Sequence, residues 1–235
     1  MQKTKWNAIM EFLAQHYTIS FAMLIVWILT YWYGKKIDDN DKVKFGYFLI
    51  GISIVQEFAD YIGRYYGSIN GLYDFQLLKE LPLQPCHFAY FSILLAIYTR
   101  KQIFFDIGYF FGISGALLGI ITPGNDGVYS LWSNLTAHFQ HSFIIINIMW
   151  CVSALNMGCT KRSILNAFLF LNIMIIPIGL FDILTGQNYF FLMKAPELLV
   201  YNPLLPITAW PWYILWIEFI FFPYCYIFYL AVRKD

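Results

Sequence analysis

Seven apolar runs pattern the chain, at approximately residues 17–33, 43–62, 83–99, 103–122, 134–155, 163–184 and 212–232. Each comes close to the roughly 17 to 25 residues that carry a helix across a bilayer. The connections between them hold the turn-forming residues: Gly67-Ser68-Ile69-Asn70-Gly71, Pro123-Gly124-Asn125-Asp126-Gly127, and Pro203 with Pro206. Residues 1–15 are mixed in character. The first apolar run lacks a small-residue cleavage site, so it reads as a retained span and not as a cleaved signal. No internal repeat or low-complexity tail is visible. The pattern predicts a single all-α domain over 1–235, a polytopic membrane protein built as a seven-transmembrane-helix bundle.

Composition agrees with that reading. Hydrophobic residues make up 60% of the 235 positions and charged residues only 12%, where a soluble domain carries about a quarter charged. The net charge of +1, with no basic block, argues against a nucleic-acid partner. Charge placement also orients the bundle. Lys35, Lys36, Lys42, Lys44, Arg100, Lys101, Lys161, Arg162, Arg233 and Lys234 fall in alternate connections or at the C-terminus. The opposite ends hold Lys3, Lys5, Arg64, Lys79 and Lys194, half as many. Positive residues stay cytoplasmic, so the expectation is a cell-membrane protein with its N-terminus outside and its C-terminus cytoplasmic.

In that orientation the unusual polar residues gather at the outer ends. The third run opens with Leu81-Pro82-Leu83-Gln84-Pro85-Cys86-His87. Pro85 suits the first position of a helix, which would put Cys86 in the first turn. There, unpaired N–H groups and the positive end of the dipole favour a thiolate. The plainer reading of the stretch is a small buried cysteine beside a helix cap. Asn134, His138 and His141 open the fifth run, spaced to share one helical face, and Glu57, Asp60 and Arg64 close the second in the same way. Asp60 is placed to pair with Arg64, either bracing the helices or letting Arg64 hold a lipid phosphate. Asp182, Gln187 and Asn188 end the sixth run. Trp210-Pro211-Trp212 opens the seventh as interfacial anchors, with Glu218 about two turns deeper.

The histidines differ in what they offer. His16 precedes the first run and reads as solvated. His87 follows Cys86 directly and points about 100° away around the helix, which disqualifies it as that thiol's base. His138 and His141 come from another helix at the same level, so either suits the base of a Cys–His pair. Metal binding would draw on Cys86, His87, His138 and His141, but their spacing matches no zinc motif, and no cofactor is expected. Cys151, Cys159 and Cys225 lie toward the cytoplasmic side, too far from Cys86 for a disulfide.

Several short motifs then resemble one family: Leu81-Pro82-Leu83-x-x-Cys86, Gly115-Ala116-Leu117-Leu118 leading to Thr122-Pro123, His141 before an apolar run, Gln187-Asn188-Tyr189-Phe190-Phe191-Leu192, and Trp210-Pro211-Trp212-Tyr213 with Glu218. In this order, from about Glu80 to the C-terminus, they look like the YwaF-like bacterial integral membrane proteins, whose animal relatives include the transmembrane protein 164 acyltransferase. Gln84-Pro85 stands where family members usually have His-Leu. The resemblance implies seven helices and acyl transfer between phospholipids by a Cys–His pair, here Cys86 and His141. On that expectation, an outer-leaflet phospholipid gives its acyl chain to Cys86 as a thioester, and a lysophospholipid hydroxyl receives it. Gln84 or Asn134 would help stabilise the oxyanion, and Asp182 or Glu218 would orient the base. Three other readings use the same residues: a lipid or small-solute transporter, a heptahelical receptor or structural protein, and a Cys–His hydrolase with water as acceptor.

Overall fold

The structure, a computed structural model, describes residues 2–71, 74–121, 131–196 and 209–234, with the side chains of 2–6, 8, 131–134, 136 and 137 outside it. Thr122, the turn from Pro123 to Gly127, Pro203, Pro206 and the side chain of Asn134 therefore lie outside the described residues. Seven α-helices appear among the described residues, and no strand: α1 (Gln2–Lys36), α2 (Asp39–Ile69), α3 (Pro85–Thr99), α4 (Gln102–Ile121), α5 (Leu131–Ser153), α6 (Ser163–Thr185) and α7 (Trp212–Val232). A short 3-10 turn, Tyr189–Phe191, lies between α6 and α7.

Every apolar run is matched by a helix. Two boundaries move. Helix α1 begins well before residue 17, because Phe12 and His16 are buried against the bundle and extend its packing face. Helix α2 continues through Gly67 and Ser68 to Ile69. A helical glycine costs only about 1 kcal/mol and does not by itself stop a helix. The chain turns where Gly71 adopts a left-handed φ of 68°. Four segments are long and apolar enough to cross a membrane: Ile9–Lys36, Gln102–Ile121, Ser163–Thr185 and Trp212–Val232. Helix α3 is apolar but has only 15 residues, about 22 Å at 1.5 Å per residue.

Helices α3, α4 and α5 form the centre. Ala89, Ile93, Phe105, Phe110, Ile144, Ile148 and Trp150 are buried there. Arg100 closes α3 in the left-handed region (φ 61°), its N–H donating to the carbonyl of Ala96, and α4 starts two residues later. The α3–α4 pair is thereby a tight antiparallel hairpin. Helices α1, α2, α6 and α7 surround this centre and turn apolar side chains outward, among them Phe21, Val55, Phe58, Ile176, Leu184 and Phe219. A belt of that size has no place in water. Pro177 and Pro223 sit inside α6 and α7, which membrane helices tolerate better than soluble ones.

Candidate active site

Pro85 is the first residue of α3 and Cys86 the second, as its proline pair predicts. The carbonyl of Gln84 accepts the N–H groups of His87 (3.0 Å) and Phe88 (3.4 Å). Among the described residues the N–H of Cys86 itself makes no backbone hydrogen bond outside the helix ladder, so one donor of the first turn stays beside the sulfur. Gln84's side chain makes no capping bond. Cys86 is partly buried, whereas Cys151, Cys159 and Cys225 are fully buried, and all four are free thiols.

Four glycines of α4 decide what faces Cys86. A methyl group at Gly108 would stand 2.8 Å from the backbone nitrogen of Ile93, and one at Gly115 would stand 2.7 Å from Cys86 Sγ. These glycines are seven residues apart, as are Ile93 and Cys86 on the antiparallel α3. They form one row, along which α3 lies against α4. Gly112 and Gly119 form a second row, facing α5: a methyl there would stand 2.6 Å from Ile144 Cγ2 and 2.8 Å from His141 Cε1 respectively. Small residues allow this closeness between membrane helices, where packing and not water drives association. Gly115 and Gly119 are one turn apart, about 6 Å along the axis and about 40° around it. The thiol of α3 and the imidazole of α5 therefore converge on the same end of α4.

The other predicted pair member is committed elsewhere. His138 is fully buried, and its Nε2 lies 3.0 Å from Nδ1 of His16. His16 Nε2 in turn lies 2.7 Å from the carbonyl oxygen of Ile120. A carbonyl only accepts, so His16 is protonated at Nε2, and when neutral its Nδ1 accepts from His138 Nε2–H. Ser20 Oγ lies 3.4 Å from that same Nε2. His16 is thus not solvated: it is 1% exposed and ties α1 to α4 and α5. The long N-terminal extension of α1 carries it into the bundle, which the apolar pattern did not reveal.

A second polar group borders Cys86. His87 is buried, with Nε2 3.5 Å from Glu57 Oε1 on α2, so it points away from the thiol as its position in the helix requires. Gln140 Nε2 donates to Glu57 Oε2 at 3.3 Å, which links this pair to the residue preceding His141. Arg64 forms the expected ion pair with Asp60, at 2.5 Å, and a second with Glu80, at 2.9 Å. Two carboxylates share one guanidinium here, and the arrangement braces the 74–84 segment against α2. Tyr61 adds a hydrogen bond to the Glu80 carbonyl at 2.8 Å. Glu80 escaped the sequence reading. Its signal was an acidic residue directly before an apolar, proline-rich helix start.

The remaining predicted residues stand apart. Asp182 is buried on α6, and neither carboxylate oxygen has a hydrogen-bond partner among the described residues. Asn188 shapes its own loop, accepting from the N–H groups of Met193 and Lys194 and donating to the Lys194 carbonyl. Trp210 donates to the Leu192 carbonyl at 2.9 Å, and both Trp210 and Trp212 are exposed, as anchors would be. Glu218 makes no hydrogen bond or ion pair to the described residues of the cluster.

Comparison with known proteins bears on what this arrangement is. The model of the TMEM164 family matches residues 11–229, from α1 almost to the end of α7. The chain belongs to the TMEM164 family. The match extends the resemblance N-terminally to α1 and α2, which carry His16, Glu57 and Arg64. No curated protein and no solved structure matches the chain.

Proposed function

We propose that this member of the TMEM164 family is a membrane-embedded lipid acyltransferase, with Cys86 as nucleophile and His141 as general base. It would cross the membrane seven times, with its N-terminus outside, its C-terminus cytoplasmic and its site near the outer leaflet of the cell membrane. The observation that carries the reading is the glycine pair Gly115 and Gly119, which receives Cys86 Sγ and the His141 ring one turn apart on one helix. His138 is the weaker candidate for the base because the glycine pair receives the His141 ring, while His138 Nε2 lies against His16.

In this mechanism His141 removes the Cys86 proton, and the thiolate attacks the ester carbonyl of a phospholipid. The Cys86 N–H supports the oxyanion. Collapse expels the glycerol alkoxide, which takes the proton from His141, and a lysophospholipid departs. The thioester is then attacked by the hydroxyl of an acceptor lysophospholipid, whose proton passes to His141 and back to the sulfur. No cofactor is required. Helix α3 is shorter than the roughly 30 Å hydrocarbon layer, which supports a thiol lying within lipid reach and away from bulk water.

The test is covalent capture. Purified protein given a phospholipid labelled in its acyl chain should retain label on wild type and not on Cys86→Ala. Product analysis with and without lysophospholipid separates transfer from hydrolysis. Capture of label by Cys86→Ala, or its full activity, ends the assignment of Cys86 as nucleophile, and a wild-type protein that neither captures nor transfers label leaves a lipid-binding or transport role in front.

A further inference from the structure

At the end of the bundle opposite Cys86, α6 and α7 line a cavity of about 640 Å³. Its walls are apolar and aromatic, with Phe168 from α6 and Phe222, Tyr226 and Tyr229 from α7. Its mouth is cationic, formed by Lys161 and Arg233. The two cations are distant in sequence and are brought together by the backbone. Cys159 N–H donates to the Val232 carbonyl at 3.0 Å, and Lys234 N–H donates to the Cys159 carbonyl at 2.8 Å. This clasp holds the chain after α7 against the loop before α6, so that Lys161, Arg162, Arg233 and Lys234 belong to one edge. Gln102 Nε2 adds a bond to the Gly158 carbonyl at 2.9 Å and fixes the loop to α4.

We propose that this groove is a binding site for an anionic phospholipid, whose phosphate lies between Lys161 and Arg233 and whose acyl chain follows Phe168 and Phe222 between the helices. Charge and surface both select that occupant. A neutral lipid has no use for the unpaired Lys161 at the mouth, and a soluble anion has none for the aromatic walls. Lys161 is exposed and makes no ion pair among the described residues, so its charge is available to a headgroup. The site is separate from Cys86 and does not rest on the reading of that residue.

The experiment uses the full chain in a neutral detergent. Native mass spectrometry and thermal melting are run with phosphatidylglycerol, with phosphatidylcholine of the same acyl chains, and with glycerol 3-phosphate. Phosphatidylglycerol should remain bound and raise the melting temperature by several degrees, with the other two giving little. Lys161→Gln should weaken phosphatidylglycerol retention at least about threefold, and Lys161→Gln with Arg233→Gln about tenfold or more, without changing the lipid-free melting temperature of the single variant. Equal retention of phosphatidylcholine, equal stabilisation by glycerol 3-phosphate, or undiminished phosphatidylglycerol binding by Lys161→Gln would each overturn the proposal. The single variant decides the matter even where the double variant does not fold.

Discussion

Gly119→Ala probes the candidate site without replacing either proposed catalytic group. The added methyl would stand 2.8 Å from His141 Cε1, 2.9 Å from Nε2 and 3.2 Å from Nδ1. Comfortable carbon contacts lie at about 3.5–4.0 Å, so the ring must retreat by about 0.7–1.2 Å. Such overpacking costs about 1–3 kcal/mol, and replacing a helical glycine by alanine returns about 1 kcal/mol. The net loss of stability is then about 0–2 kcal/mol, and the fold survives. A displacement of about 1 Å in a reacting group costs on the order of 100-fold in rate, equivalent to about 2.7 kcal/mol of barrier. Activity should therefore fall further than stability does. The assay is acyl transfer from a labelled phospholipid per folded molecule, with thermal melting in parallel. Gly51→Ala in α2 is the control, since nothing lies within 4 Å of a methyl there, and both readouts should stay near wild type. A Gly119→Ala protein that melts normally and transfers at the wild-type rate would refute the placement of His141 in the reaction.

Other perturbations separate the parts of the site. Cys86→Ser should keep the fold and lose nearly all transfer, and Cys86→Ala combined with His141→Ala should be little worse than either alone, as expected of groups acting as a unit; additive losses in rate would argue against a pair. Arg64→Gln leaves Asp60 and Glu80 buried without their cation and should destabilise by about 3–5 kcal/mol, read by melting, with activity per folded molecule largely kept. Should affinity for phospholipid fall instead while melting is unchanged, Arg64 holds a phosphate. His138→Ala should lower the melting temperature by breaking the His16 contact and reduce transfer less than His141→Ala; the reverse order in transfer exchanges their roles. Cysteines placed at Lys36 and Arg162 should react with an impermeant reagent only after permeabilisation, and one at Asn70 without it; labelling at Arg162 from outside would invert the proposed orientation.

The helices and the lipid-facing belt were legible in the sequence because both follow from local composition. A run of about twenty apolar residues must satisfy its own backbone hydrogen bonds in lipid, and only a helix does so within one segment. The start of α3 at Pro85 was legible for a similarly local reason, since proline fits a first turn and little else in a helix. The Arg64–Asp60 pair followed from a spacing of four on one helix. What the sequence withheld were relations between helices. The two glycine rows of α4 were visible as letters, but which row meets Cys86 and which meets His141 depends on the antiparallel register of three helices. His16 was misread because its burial is set by α5 and by the Ile120 carbonyl, far along the chain. Glu80 gave no such spacing signal because it lies outside any helix and its partner Arg64 sits on α2, sixteen residues away. The mouth of the α6–α7 groove depends on a backbone clasp between Cys159 and Arg233 that no periodicity announces. Local chemistry specifies elements, while a site made from several elements exists only once packing has fixed their distances.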